Sequence, residues 1–137
     1  MSDAPAVTPT PTWGEVFPWF REVMAEDDAW YVGKVDNKTD VGVARLADAA
    51  VTRLKPLPVG RLYPAVRRVE RLDDLTWPKH RLLNALHRGG CFTGDDLSYM
   101  VIAEMLSWES VGPIIVKQIL EVVALEEIRA SSAKQSQ

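Results

Sequence analysis

The sequence predicts a mainly α-helical protein, a compact bundle of short helices preceded by a small helical module. Three observations support this fold class. Apolar residues recur at three- and four-residue steps in several stretches, residues that cap helices precede these stretches, and glycines or prolines follow them. Residues 29–35 are instead rich in aromatic and β-branched side chains, which is typical of a strand. An α+β N-terminal module is therefore the alternative.

The composition is that of a soluble globular protein with one or two small domains. Of the 137 residues, 47% are hydrophobic and 26% charged. No apolar run approaches the roughly 20 residues that a membrane span needs. The N-terminus lacks a basic start followed by an apolar core, so we expect no secretory signal. The single cysteine, Cys91, excludes an internal disulfide framework and favours a cytoplasmic location.

Positive charge is concentrated in the middle of the chain. From Arg53 to Arg88 there are nine lysines and arginines against three acids, a balance of +6. The net charge is −3, so the remaining residues together carry −9. This segregation favours a positive surface that meets a polyanion or an acidic partner. The alternative is that the arginines only solvate two helices and a linker.

Residues 1–12 predict a disordered tail, and residues 13–59 a helical N-terminal module. Thr12 and Glu15 form a capping-box pattern ahead of a first helix, which Pro18 should kink or restart. The large side chains of this helix form either a small core or an oligomer contact, so Trp13 and Phe17 are candidate protein-interaction residues. Its predicted apolar face is Trp13, Val16, Phe17, Phe20, Val23 and Met24.

A second helix is predicted from a cap at Asp40 to the prolines at positions 56 and 58. Small alanines on its apolar face would allow close helix packing. Residues 60–71 follow as a basic linker or a short helix opened by Pro64. The predicted apolar face of the second helix is Val43, Leu46, Ala47, Ala50, Val51 and Leu54.

Residues 72–128 predict a bundle of short helices. One helix begins at Thr76 or Trp77, with Pro78 in its first turn, and stops at Gly89-Gly90, where one glycine is left-handed. Thr93 and Asp96 cap the next helix near Gly94, and its continuation is broken into two short helices. A tight turn at 110–113 leads into a last helix, 114–128, followed by a disordered tail at 129–137.

Two pairs of consecutive helices, each joined by a short turn, have the layout of helix-hairpin-helix motifs. The spacing of their residues resembles that of a known family. Residues 81–120, with a lead-in at 71–75, are similar to the C-terminal domain of the bacterial RNA polymerase alpha subunit. The chain is too short to be that subunit. The matching segments are Arg81-x-x-Asn84-Ala85-Leu86, Asp96-Leu97, Ala103-Glu104-Met105-Leu106, Val111-Gly112 and Ile119.

The resemblance implies a DNA-binding domain that grips the minor groove at A·T-rich sites and also docks on transcription regulators. It implies that Arg81 enters the groove and that Asn84 supports it. An arginine suits a narrow A·T minor groove, where the negative potential is strongest. Lys79 and Arg88 on the same helix are candidate phosphate contacts. The turn at Gly112 would expose backbone N–H groups to a phosphate.

The chain departs from the family pattern after the second hairpin. The family carries a basic residue and a small hydroxyl where this chain has Ile114 and Ile115. Pro113 also removes one N–H donor. Lys117, one turn later, substitutes in part. The alternative is that the fold is retained and Ile114 and Ile115 form a protein-docking surface.

The sequence therefore predicts a DNA-binding, transcription-associated protein of the bacterial cytoplasm and nucleoid, without enzymatic activity, cofactor or membrane association. The expected partners are DNA, A·T-rich or of any sequence, and RNA polymerase or a transcription regulator. A homo-oligomer formed through the N-terminal aromatics is a further possibility. The rival function is a protein-interaction module that keeps the fold without binding DNA. His80 and His87 are seven residues apart, which does not match helical zinc-ligand spacing.

Overall fold

The computed structural model describes residues 11–19, residue 35 and residues 39–135, and it is mainly helical, which confirms the predicted fold class. The strand considered at 29–35 lies outside the described residues except for Val35, as do Phe20, Val23 and Met24 of the first apolar face. The α-helices are α1 (Trp13–Val16), α2 (Thr39–Arg53), α3 (Val59–Leu62), α4 (His80–Arg88), α5 (Gly94–Ser98), α6 (Ile102–Leu106) and α7 (Pro113–Gln135). Two 3₁₀ helices are η1 (Pro64–Arg68) and η2 (Leu72–Asp74).

One hydrophobic core contains buried side chains from the first helix to the last. Its members include Leu46 of α2, Leu86 of α4 and Ile119 of α7. The most extensive helix–helix contact is between α2 and α7, which lie far apart in sequence. The residues predicted as an N-terminal module and those predicted as a C-terminal bundle therefore bury side chains in the same core. The division into separate domains stays a prediction.

The N-terminal aromatics belong to this core. Trp13 is 2% exposed and Phe17 is fully buried, so neither can present the interaction surface that the sequence allowed for them. Their rings lie 6.0 Å apart, and the Phe17 ring meets Tyr63 edge to face at 5.9 Å. Trp13 also packs on Gly42 of α2 so closely that a Cβ there would lie 2.1 Å from the indole. Of the two alternatives, Trp13 and Phe17 follow the core.

The first two helices start close to their predicted positions. At α1, the Thr12 Oγ1 accepts from the Glu15 backbone N at 3.2 Å, and the Glu15 carboxylate accepts from the Thr12 N at 2.8 Å, which confirms the capping box. The helix ends at Val16, before Pro18. The second helix starts at Thr39, so Asp40 lies within its first turn and is not the cap.

The basic segment after α2 is a pair of short helices, not an extended linker. Val59 of α3, Val66 of η1 and Tyr63 between the two helices are buried. Gly94 of α5 lies directly against η1, because its N–H donates to the Val69 carbonyl at 2.9 Å and a Cβ at position 94 would meet the Val66 carbonyl at 1.9 Å. The apolar residues of this segment therefore belong to the core, and its arginines are carried on the outside.

Helix α4 begins at His80, later than the predicted Thr76 or Trp77. The reason is a local contact between residues five apart in the chain. The Trp77 indole N–H donates to the Leu72 carbonyl at 2.7 Å, which holds the chain in a non-helical path up to Lys79. Pro78 therefore precedes the helix instead of lying in its first turn. The predicted stop is confirmed, since α4 ends at Arg88 and Gly90 is left-handed, with φ of 88°.

The predicted cap at Thr93 and the break between α5 and α6 are both confirmed. The Thr93 Oγ1 accepts from the Asp96 N at 3.0 Å, and the Asp96 carboxylate accepts from the backbone N–H groups of Phe92 and Thr93. In the second turn, the left-handed residue is Ser110, with φ of 63°, and not Gly112. The last helix continues to Gln135, past the predicted end at Ile128.

None of the helices that the structure describes is long and apolar enough to cross a membrane.

Candidate nucleic-acid interface

Helix α4 separates apolar and polar side chains cleanly. Arg81, Asn84 and Arg88 are exposed, and their three- and four-residue spacing places them on one side of the helix. The opposite side is buried in the core through Leu82, Leu83, Ala85 and Leu86. The packing of α4 therefore fixes which side chains face solvent, and the predicted DNA-contacting residues of this helix are among them.

The polar side chains of α4 are available to a ligand. Within the residues that the structure describes, no hydrogen bond or ion pair engages the side chains of Lys79, Arg81, Asn84 or Arg88. An arginine without an intramolecular partner keeps all five of its N–H donors for an external acceptor. We call this surface the α4 face; it consists of Lys79, Arg81, Asn84 and Arg88.

An aromatic pair lies at the C-terminal end of the α4 face. The rings of His87 and Phe92 are stacked, with centroids 5.0 Å apart and planes inclined by 19°. The His87 Nε2 lies 3.2 Å from the Asp73 Oδ1, which holds the imidazole in place. Phe92 itself is 54% exposed. An exposed large aromatic ring beside cationic residues is an unusual feature, because such rings are normally buried.

The backbone around Phe92 is held independently of its ring. The Phe92 N–H donates to the Asp96 carboxylate at 3.0 Å, and its carbonyl accepts from the Leu72 N–H at 3.0 Å. The second of these bonds brings the exposed Arg71, the neighbour of Leu72, alongside the turn between α4 and α5. The backbone of Arg71 thus lies close to the turn that carries Phe92.

The two turns of the predicted double hairpin are brought together at Gly89. A Cβ at this position would lie 2.4 Å from the Trp108 ring, so the glycine permits the turn after α6 to approach the end of α4. Trp108 itself is partly buried and packs against the core. The turn containing Gly112 follows directly from Trp108 in sequence.

The residues after the second turn are not placed as a phosphate clamp. Lys117 faces α2, where its Nζ lies 3.2 Å from the Asp48 Oδ1. Ile115 packs against the core, whereas Ile114 is 68% exposed. The expected substitution of Lys117 for the missing basic residue is therefore opposed by its ion pair, and Ile114 alone presents an apolar surface.

The ionisable groups close to the turn between α4 and α5 have a structural role. Burial, with smaller contributions from Asp96 and Glu104, raises the pKa of the Cys91 thiol to about 11. A thiol with such a pKa stays protonated at neutral pH and is a poor nucleophile. Hydrogen bonds from the Phe92 and Thr93 N–H groups lower the pKa of Asp96, which keeps its carboxylate ionised as a cap.

In the part of the chain that the structure describes, no group of three or more His, Cys, Asp or Glu residues could hold a metal ion.

Comparison of the chain with protein-family models, with curated proteins and with solved structures finds no match.

Sequence reasoning missed two residues of this surface, Phe92 and Arg71. Phe92 has no periodic apolar partner in its loop, Cys91-Phe92-Thr93, which is the signal that could have marked it as exposed. Arg71 was counted in the basic stretch, but its proximity to Phe92 depends on pairing between residues about 20 apart in sequence. No local pattern encodes that proximity.

Proposed function

We propose that this protein binds DNA through the α4 face and acts in transcription. The observation that carries the proposal is the set of cations on α4 that are exposed and lack intramolecular partners. Cations that are not neutralised by nearby acids retain their full attraction for phosphate. The resemblance of residues 81–120 to the RNA polymerase alpha C-terminal domain adds to this support, because the same helix carries the matching Arg81 and Asn84.

Arg81 is assigned to the minor groove and Asn84 to its support. Arg81 is the second residue of α4 and Asn84 lies one turn later on the same side, so both can approach one ligand together. Lys79, just before the helix, and Arg88, at its end, would contact phosphates on either side. We also propose that the fold contains two helix-hairpin-helix motifs and that the protein prefers A·T-rich DNA and lies in the nucleoid. Docking on RNA polymerase or a regulator is part of the same proposal.

The test is DNA binding by the full chain over a series of salt concentrations. Each phosphate that a cation neutralises contributes about 0.9 to the slope of log K against log salt. Arg81→Ala should weaken binding by roughly 1–3 kcal/mol and flatten any A·T preference. Arg88→Ala should weaken binding to all sequences alike and reduce the salt slope by about 0.9.

A matched control is Arg129→Ala, since Arg129 is exposed but paired with Glu126 far from α4 in sequence. This variant should leave both the affinity and the slope as they are. Equal affinity of Arg81→Ala and the unaltered protein would contradict the assignment of the α4 face. Absence of salt-dependent DNA binding by the unaltered chain would contradict the function itself.

A protein-docking function is the second candidate, and one observation favours it. Ile114 is exposed at the start of α7 while Lys117 is held by Asp48. An isolated exposed isoleucine is too small a patch to identify a partner. If Arg81→Ala leaves DNA affinity unchanged while Ile114→Asp abolishes binding to RNA polymerase, the docking function replaces the first.

A further inference from the structure

We infer that Phe92 is a stacking platform for an unpaired nucleobase at the end of the α4 face. This inference rests on the proposed DNA binding and adds a ligand class to it, namely nucleic acid with an unstacked or extruded base. The proposal combines one aromatic ring, a stack beneath it and two flanking cations.

The ring of Phe92 is presented as a flat surface. One side is covered by His87, whose ring lies nearly parallel at 5.0 Å. Phe92 is nonetheless 54% exposed, so it keeps accessible surface for a ligand. A nucleobase placed there would continue the His87–Phe92 stack as a third ring, and every base has a π-face that can do so.

The platform is rigid for two reasons. His87 is held by Asp73 at 3.2 Å, so the layer beneath the ring is anchored. The backbone of Phe92 is bonded on both sides, to Asp96 and to Leu72. Because the backbone is held and the ring already stacks on His87, base binding would order few further groups, which favours binding.

Two cations belong to segments that meet at this turn, alongside the Asp73 and Asp96 carboxylates that hold His87 and the Phe92 backbone. Arg88 follows His87 at the end of α4, and Arg71 precedes Leu72, whose N–H donates to the Phe92 carbonyl. Both are exposed, and neither has a partner among the described residues. Aromatic stacking combined with cations that track a phosphate backbone is the recognition pattern of unpaired nucleotides.

A second exposed aromatic ring provides a contrast within the same molecule. Tyr99 is 67% exposed, more than Phe92. The guanidinium of Arg67 already lies 5.1 Å from its ring centroid, and Arg67 is in turn 3.8 Å from Asp95. The ring of Tyr99 is therefore already occupied by the Arg67 guanidinium, which a base would have to displace before it could stack there. Exposure alone does not define the platform.

The experiment compares two probes with the full chain: a short duplex with one unpaired 2-aminopurine, and the same duplex with that base paired. The unaltered protein should prefer the unpaired probe and quench its fluorescence, because stacking quenches 2-aminopurine. Phe92→Leu should lose about 5- to 150-fold in affinity for the unpaired probe, the range that one stacked base contributes, and should bind the paired probe as before.

Phe92→Tyr keeps the ring and should retain both the preference and the quenching. Tyr99→Leu is the matched control and should also change neither. If Phe92→Leu binds both probes like the unaltered protein, the platform is overturned while the proposed DNA binding stands. If the unaltered protein binds neither probe, the proposed function fails together with the platform. Loss of both probes by Phe92→Leu, with an unchanged circular dichroism spectrum, would overturn a role specific to unpaired bases.

Discussion

Helices α2 and α4 bury similar faces and expose very different ones. Both insert leucines into the same core, Leu46 from α2 and Leu86 from α4. Both also carry exposed arginines. The cations near α2 are engaged, however: Lys117 of α7 is paired with Asp48, and Arg45 and Arg53 each have interaction partners. The α4 face has none among the described residues.

This difference shows that the number of cations on a surface does not measure what the surface can bind. A cation that is held by a nearby acid must give up that partner before it can contact a phosphate. A cation without a partner needs no such exchange. The α4 face is therefore the stronger candidate for a polyanion, although both helices carry arginine.

The core that α2 and α4 share is tested by truncating one buried leucine from each helix. Leu46→Ala and Leu86→Ala should each lower the free energy of unfolding by roughly 2–5 kcal/mol, because each leaves a cavity in one common core. The measurement is urea denaturation followed by circular dichroism. We expect each variant to unfold in a single transition.

Cys91 makes this test sharper, because it reports from the C-terminal half. The thiol is buried with a pKa near 11, so it reacts with a thiol reagent only when the surrounding structure opens. If the core opens as one unit, Leu46→Ala should raise the rate of Cys91 modification by more than about tenfold, since 1.4 kcal/mol corresponds to a factor of ten. An unchanged rate would show that Cys91 becomes accessible through a local opening that does not depend on Leu46.

The difference between the two surfaces is tested by placing an acidic residue on the α4 face, as α2 already carries Asp48. Asn84→Glu places a carboxylate three residues from Arg81 and four from Arg88, within reach of both. We expect DNA affinity to fall by roughly 1–3 kcal/mol, the scale of losing one good groove contact. Asn84→Gln is the matched control, which keeps the length without the charge. A loss as large for Asn84→Gln would show that the position of the amide matters and that availability of the arginines does not.

The smallest expected effect is a change in stability at one surface and a change in DNA binding at the other. Lys117→Met removes a partly exposed ion pair with Asp48 and should lower the free energy of unfolding by about 0.2–1 kcal/mol without changing DNA affinity. Arg88→Met should do the opposite, leaving stability unchanged and weakening DNA binding. Thermal denaturation and DNA titration of both variants provide the measurement. Weaker DNA binding by Lys117→Met would remove the distinction between the surfaces.

The parts of the fold that the sequence determined by itself are those decided by neighbouring residues. Helix caps at Thr12 and Thr93, the stop at Gly89-Gly90 and the break between α5 and α6 are all as predicted. A cap is a hydrogen bond between residues three apart, and a left-handed glycine needs only its own backbone. Such features can be predicted because the groups that form them are adjacent in the chain.

The tertiary structure alone decided the burial of Trp13 and Phe17, the ion pair of Lys117 and the exposure of Phe92. Each depends on groups distant in sequence: Trp13 packs on Gly42, Lys117 meets Asp48, and the Phe92 carbonyl accepts from the Leu72 N–H. The identity of a side chain states what it can bind, whereas its availability depends on which distant groups reach it first. In this protein the cations of the α4 face have no such partner among the described residues, whereas Lys117, which faces α2, is paired with Asp48.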